Sequence, residues 1–110
     1  MNKEDQSARP KVQELVGLLQ YQDDSIVSRV LLKNKGGTVT LFAFDEGEGL
    51  SEHTAPFDAL VVVLGGEADI QIDDDHFSVS AGQTITLPAN HPHAVKAVTK
   101  FKMLLIMIRR

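Results

Sequence analysis

Four histidines, His53, His76, His91 and His93, are the side chains of this sequence best suited to chemistry. Imidazole titrates near neutrality and is the commonest protein metal ligand, so each is a candidate acid, base or ligand. His91 and His93 lie two residues apart, and on an extended segment both rings face the same way. Pro92 between them makes a turn the competing geometry. His76 follows Asp73-Asp74-Asp75, a run that lacks the spaced ligands and closing Glu of an EF-hand loop. That run reads as a solvated hairpin tip with His76 exposed. Cysteine is absent, which excludes thiolate chemistry, a Cys-based zinc site and disulfides.

Composition narrows the classes further. At 110 residues the chain has room for one domain, and its 43% hydrophobic content is enough for one core. The net charge is −4, and the one basic concentration is the tail Lys100, Lys102, Arg109 and Arg110. With one tyrosine and no tryptophan there is neither a basic stripe nor a platform for stacking bases, so nucleic acid is not an expected partner. No apolar run approaches the ~18 residues that span a membrane. The segment Met1-Asn2-Lys3-Glu4-Asp5-Gln6 is polar, unlike a signal peptide. The expected setting is the cytoplasm, with no membrane partner.

The scaffold must come from the apolar pattern. Residues 1–9 read as a flexible polar arm and 10–110 as a single domain. Val12, Leu15, Val16 and Leu19 fall at i, i+3, i+4 and i+7, and Pro10 suits a first helical turn, which predicts a short helix over about 10–20. From about 25 to 109 the pattern is that of short strands closed by turn residues. These are Ile26–Leu32, Thr38–Phe44, Ala59–Leu64, Ala68–Ile72, His76–Ser80, Thr84–Leu87, Ala94–Val98 and Phe101–Ile108. No helices separate them, which points to an all-β sandwich or barrel. Ala59–Leu64 and Met103–Ile108 are apolar at both parities and so call for cover on both faces. A homodimer meets that need economically, although a second layer from the same chain also would.

Two stretches carry a resemblance. Gly47-Glu48-Gly49-Leu50-Ser51-Glu52-His53-Thr54-Ala55-Pro56-Phe57-Asp58-Ala59, closing at Gly66, resembles the first motif of the cupin superfamily. That motif runs Gly, five residues, His-x-His, three or four residues, Glu, six residues, Gly. Gly82-Gln83-Thr84-Ile85-Thr86-Leu87-Pro88-Ala89-Asn90-His91-Pro92-His93 resembles the second motif, Gly, five residues, Pro-x-Gly, two residues, His. The resemblance spans about residues 36–108 and is closest to small single-domain cupins. It implies a jelly-roll barrel, or double-stranded β-helix, of two antiparallel sheets.

In that family two His, a Glu and a third His hold one divalent metal, iron, manganese, nickel or zinc among them. Carried over residue by residue, the first His is His53 and the last is His93, while Ala55 and Ala59 stand where the second His and the Glu would be. Asn90 replaces the second-motif Gly and tolerates left-handed backbone angles. Two imidazoles fall short of the three protein ligands of catalytic zinc or of a two-His-one-carboxylate iron. Glu52 and Asp58 adjoin inward positions and so face away on a strand. Glu48 sits on a glycine-flanked loop near the mouth. His91 is the candidate third ligand.

By parity, Phe57, Ala59, Val61 and Val63 share the inward face. Phe42, Phe44, Met103 and Met107 are the candidates to face them from neighbouring strands, with the partner parity, Leu41 and Ala43, as the alternative. Together with Ala55 these outline an apolar pocket with two imidazoles at one end, a plausible small-molecule site that core packing would also explain. The loss of two ligands favours a small-molecule-binding protein of unassigned specificity. A metal-dependent dioxygenase or isomerase is the alternative, and a metal-free enzyme using His53 or His93 as acid or base is a third reading.

Overall fold

The computed structural model describes residues 9–109. Nine strands follow in order: β1 Ile26–Asn34, β2 Gly37–Phe44, β3 Gly49–His53, β4 Asp58–Gly65, β5 Glu67–Ile72, β6 Asp75–Ser80, β7 Thr84–Leu87, β8 His93–Ala97 and β9 Phe101–Ile108. They form two antiparallel sheets, one of five strands in the order β1-β2-β9-β4-β7 and one of four in the order β3-β8-β5-β6. No described helix is long and apolar enough to cross a membrane.

The sheets face one another across an apolar core. Antiparallel register sets which side chains meet there, because paired residues share a face. Ala59 pairs with Met107, Val61 with Leu105 and Val63 with Met103 between β4 and β9. Phe42 pairs with Met103 and Phe44 with Phe101 between β2 and β9. Of the two parities open for β2, therefore, Phe42 and Phe44 face inward. Ala68, Ile70 and Val95 answer from the second sheet. Phe44 and Phe101 stack with centroids 4.4 Å apart and close one end of the sandwich. Burying each such ring is worth about 1.5–3 kcal/mol.

Leu41 and Ala43 point outward and are nonetheless completely buried. Their ladder partners explain the cover. Lys102, opposite Ala43, donates from Nζ to the carbonyls of Val16 and, at 2.6 Å, of Leu19. Arg29, opposite Leu41, donates to the carbonyl of Leu18 at 3.2 Å. The N-terminal segment thus crosses the outer face of the larger sheet, tied by its backbone carbonyls, and Tyr21 lies against the Lys102 ammonium at 4.9 Å.

That segment corrects the helix predicted over 10–20. The structure forms one 3-10 turn, Leu15–Leu18, preceded by extended Glu14 with no side-chain cap. Gly17 in the middle, β-branched Val12 and Val16 and the short span all work against a helix. Val12 is fully exposed and Val16 half exposed, so the apolar periodicity marks no buried stripe. An extended segment also leaves carbonyls free for Lys102 and Arg29, which a helix would use internally. The arm predicted over 1–9 lies outside the described residues except for Arg9.

Gly66 shows how tightly the β4–β5 corner is drawn. Its φ is +79°, and a Cβ there would sit 1.9 Å from the Lys100 carbonyl oxygen and 2.7 Å from the Phe101 Cβ. Both obstacles belong to fixed backbone or core, so they cannot yield cheaply. Gly66→Ala is expected to cost about 3 kcal/mol of stability, read as a lower urea midpoint at unchanged slope. An unchanged midpoint would contradict this packing.

Candidate functional site

His53 ends β3 and His93 begins β8, and the two are direct ladder partners at one end of the four-stranded sheet. The register of β3 is irregular between Leu50, which pairs with Val95, and His53. Residues three apart on a regular strand face opposite ways. The bulge cancels that alternation, so Leu50 joins the core while His53 also reaches the inner face beside His93. β3 was not among the strands expected from sequence, because Gly-Leu-Ser-Glu-His carries no apolar alternation.

The rings meet edge to face, with centroids 4.3 Å apart and planes at 68°. Their Nε2 atoms are 3.1 Å apart. Behind them, Nδ1 of His53 lies 2.9 Å from the Ser51 carbonyl and Nδ1 of His93 lies 3.3 Å from the His91 carbonyl. A carbonyl only accepts, so the short Ser51 bond fixes His53 as the Nδ1–H tautomer, with Nε2 an acceptor. In the neutral pair His93 then donates from Nε2 to His53, and the longer contact to His91 is not a donated bond. One added proton lets His93 donate from both nitrogens.

Burial works against that proton. His93 is 8% exposed, the one buried polar residue described. Desolvation is the larger cause holding its pKa below the usual 6.5 and the neighbouring His53 the second, while the His91 carbonyl partly offsets them.

The other candidate ligands point elsewhere. His91 is exposed, and its Nδ1 pairs with Asp73 at 2.9 Å. Asp58 accepts the Ala89 N–H at 2.9 Å, which ties the start of β4 to the turn before β8. Glu52 is exposed. Asn90 takes φ 66°, the left-handed conformation expected of the residue replacing the motif glycine, and its N–H reaches the Ala55 carbonyl at 2.8 Å. Among the described residues no three His, Cys, Asp or Glu side chains gather where they could hold a metal ion. The donor set is two imidazoles and does not fit a resident mononuclear metal.

The apolar residues predicted to line a pocket are placed on the inner faces. Phe44, Ala59, Val61 and Met103 are buried in the core, and Phe42 and Met107 pack against it. Phe57 precedes β4, with the Arg109 guanidinium 5.7 Å from its ring. Ala55 lies beside the turn through Asn90. Sequence reasoning missed the Ser51 and His91 carbonyls, which orient both rings. Backbone acceptors carry no residue-type signal.

The depressed pKa of His93 has a sign. Between that value and about 6.5 the unfolded chain binds more protons than the native one, so stability rises with pH through this window. The contribution is present above 6.5 and is lost on acidification. In an NMR titration the His93 ring is expected to turn over below 6.5, and a midpoint above it would contradict the desolvation of His93.

Comparison with known proteins agrees with this framework. Residues 40–109 match the family described as the cupin domain. No protein in the curated comparison matches the chain. Among solved structures, a conserved protein of unknown function from Streptococcus pyogenes is similar, with 37% identity, 93% of this chain and 90% of that one covered and a TM-score of 0.88. A cupin superfamily protein from Desulfitobacterium hafniense is 28% identical over 93% of this chain and 94% of its own, with a TM-score of 0.87. A cupin 2 conserved barrel domain protein from Leptotrichia buccalis is 42% identical over 86% of this chain but 46% of its own, with a TM-score of 0.83. The matched strands, the two motifs and the paired sheets together show that this chain belongs to the cupin domain family.

Proposed function

We propose that the protein binds a small organic molecule at the His53–His93 end of the barrel, without a resident metal. The observation that supports this reading is the imidazole pair itself, Nε2 to Nε2 at 3.1 Å, with His91 held on Asp73 instead of completing a ligand set. In the neutral pair His53 Nε2 accepts a hydrogen bond. A ligand hydroxyl or amide N–H can take the place of His93 as its donor, and that frees the His93 N–H for a ligand acceptor.

The alanines at 55 and 59 fit the same reading. Where the family pattern has a second His and a Glu, this chain has two methyl groups, which carry no charge and are smaller than the side chains they replace. An apolar wall with a few convergent polar groups is the usual make-up of a small-molecule site. In this reading the polar groups are the two imidazoles and the apolar side is the core end that includes Ala59 and Met107.

A metal-dependent dioxygenase or isomerase is the second reading. What favours it is that both Nδ1 atoms face carbonyls, an arrangement that also presents Nε2 atoms to a metal. Elemental analysis of protein purified without a tag or chelator separates the two, coupled with a fragment screen by thermal shift. Metal content far below stoichiometric in both native protein and His53→Ala, with fragment hits bound about tenfold more weakly by the variant, is the expected result. Near-stoichiometric metal that disappears in His53→Ala would overturn the binding reading in favour of the enzyme.

A further inference from the structure

The outer face of the four-stranded sheet holds a second constellation, independent of the histidine pair. A cleft of about 420 Å³ lies over β3, β8 and β5, lined by Gly47, Gly49, Ser51, Asp69, Gln71, His76, Ala94 and Lys96 along with the backbone of Leu50 and Val95. Its volume falls within the roughly 300–1,000 Å³ usual for ligand sites. The register explains why these side chains converge. Asp69 pairs with Lys96, Gln71 with Ala94 and His76, and Gly49 with Lys96, so all stand on the face opposite the core. Gly49 and Ala94 keep the floor low between taller polar walls. Gly49 cannot be replaced there, since a Cβ would meet the Val95 carbonyl oxygen at 2.6 Å.

The free valences of the cleft define what it can hold. His76 donates from Nδ1 to Asp69 at 2.9 Å, which leaves its Nε2 and the second Asp69 oxygen as acceptors. Gln71 spends an amide N–H on the Asp73 carbonyl at 3.0 Å and leaves its side-chain oxygen open. Lys96 has no carboxylate partner among the described residues and offers its N–H donors. Beside these three acceptors stand three donor groups, the Lys96 ammonium, the Ser51 hydroxyl and the remaining Gln71 N–H, a mixed set that suits a ligand able both to donate and to accept. One cation and one carboxylate cancel, so no net charge is selected.

We propose that this cleft, formed by Ser51, Asp69, Gln71, His76 and Lys96, is a binding site for a neutral polyhydroxylated ring, a saccharide. Each sugar hydroxyl both donates and accepts, which matches the mixed inventory. The apolar ring face rests on the low floor at Gly49 and Ala94. Cooperative hydrogen bonding of adjacent hydroxyls to Asp69 and Lys96 supplies the orientation.

The test is a ¹H–¹⁵N NMR titration of the full chain with methyl pyranosides of the gluco, galacto and manno series at millimolar concentrations. Shifts confined to Gly49, Ser51, Gln71, His76 and Lys96 are expected for at least one of them. Lys96→Ala and Asp69→Asn, each with an otherwise native spectrum, should weaken that binding about tenfold. His93→Gln should leave it unchanged, which separates this site from the histidine pair. Absence of shifts with every pyranoside would overturn the proposal. So would shifts centred on His53 and His93, or a response to inorganic phosphate but to no sugar.

Discussion

The ladder between β4 and β9 is the constraint from which the rest of this structure follows. Both strands are apolar at both parities, and their pairing from Asp58–Ile108 to Val63–Met103 places them at the centre of the larger sheet. Their inner residues Ala59, Val61, Val63 and Met103 supply one wall of the core, and Phe44 and Phe101 close its end. The outer parity needs cover as well, and the N-terminal segment gives part of it through the carbonyls that Lys102 and Arg29 hold. A strand with one wet face would not have required that strap.

With the larger sheet fixed, the smaller sheet carries the histidine pair. Its inner face runs from Ala68 and Ala97 through Ile70 and Val95 to His93, and polarity is confined to the last rung. Two imidazoles without a carboxylate, His93 buried and His53 exposed beside it, face a choice between sharing a proton and sharing a metal ion. Two ligands bind a metal weakly, whereas a neutral pair with one internal N–H···N bond satisfies itself and needs no charge in a desolvated place. The pair is therefore a self-satisfied polar rung at the end of an apolar face.

Much of this was legible in the residues. Glycine and asparagine turns, β-branched runs and the paired motifs give the all-β sandwich, and parity groups Phe57, Ala59, Val61 and Val63 on one face, while the choice between Phe42 and Phe44 or Leu41 and Ala43 waits on the ladder register. His53 and His93 are recognisable by the motifs they retain. Three features were not legible, each for a physical reason. The apolar spacing of Val12, Leu15, Val16 and Leu19 imitates a helix, but tertiary hydrogen bonds to its carbonyls decide otherwise. The bulge in β3 breaks strict alternation, so the direction of His53 follows from its pairing and not from counting. His91 sits where extended parity would add a third imidazole, yet the turn at Asn90 and the nearby Asp73 draw it outward.

The central claim is that Ser51 locks His53 as the Nδ1–H tautomer, so that its Nε2 accepts from His93. Long-range ¹H–¹⁵N correlation of the imidazole rings near neutral pH tests this most directly. The account predicts a protonated Nδ1 and an unprotonated Nε2 for His53, and an Nε2–H for His93. A proton found on Nε2 of His53 would contradict it, since the Ser51 carbonyl would then face a lone pair and the pair could not be the self-satisfied rung described.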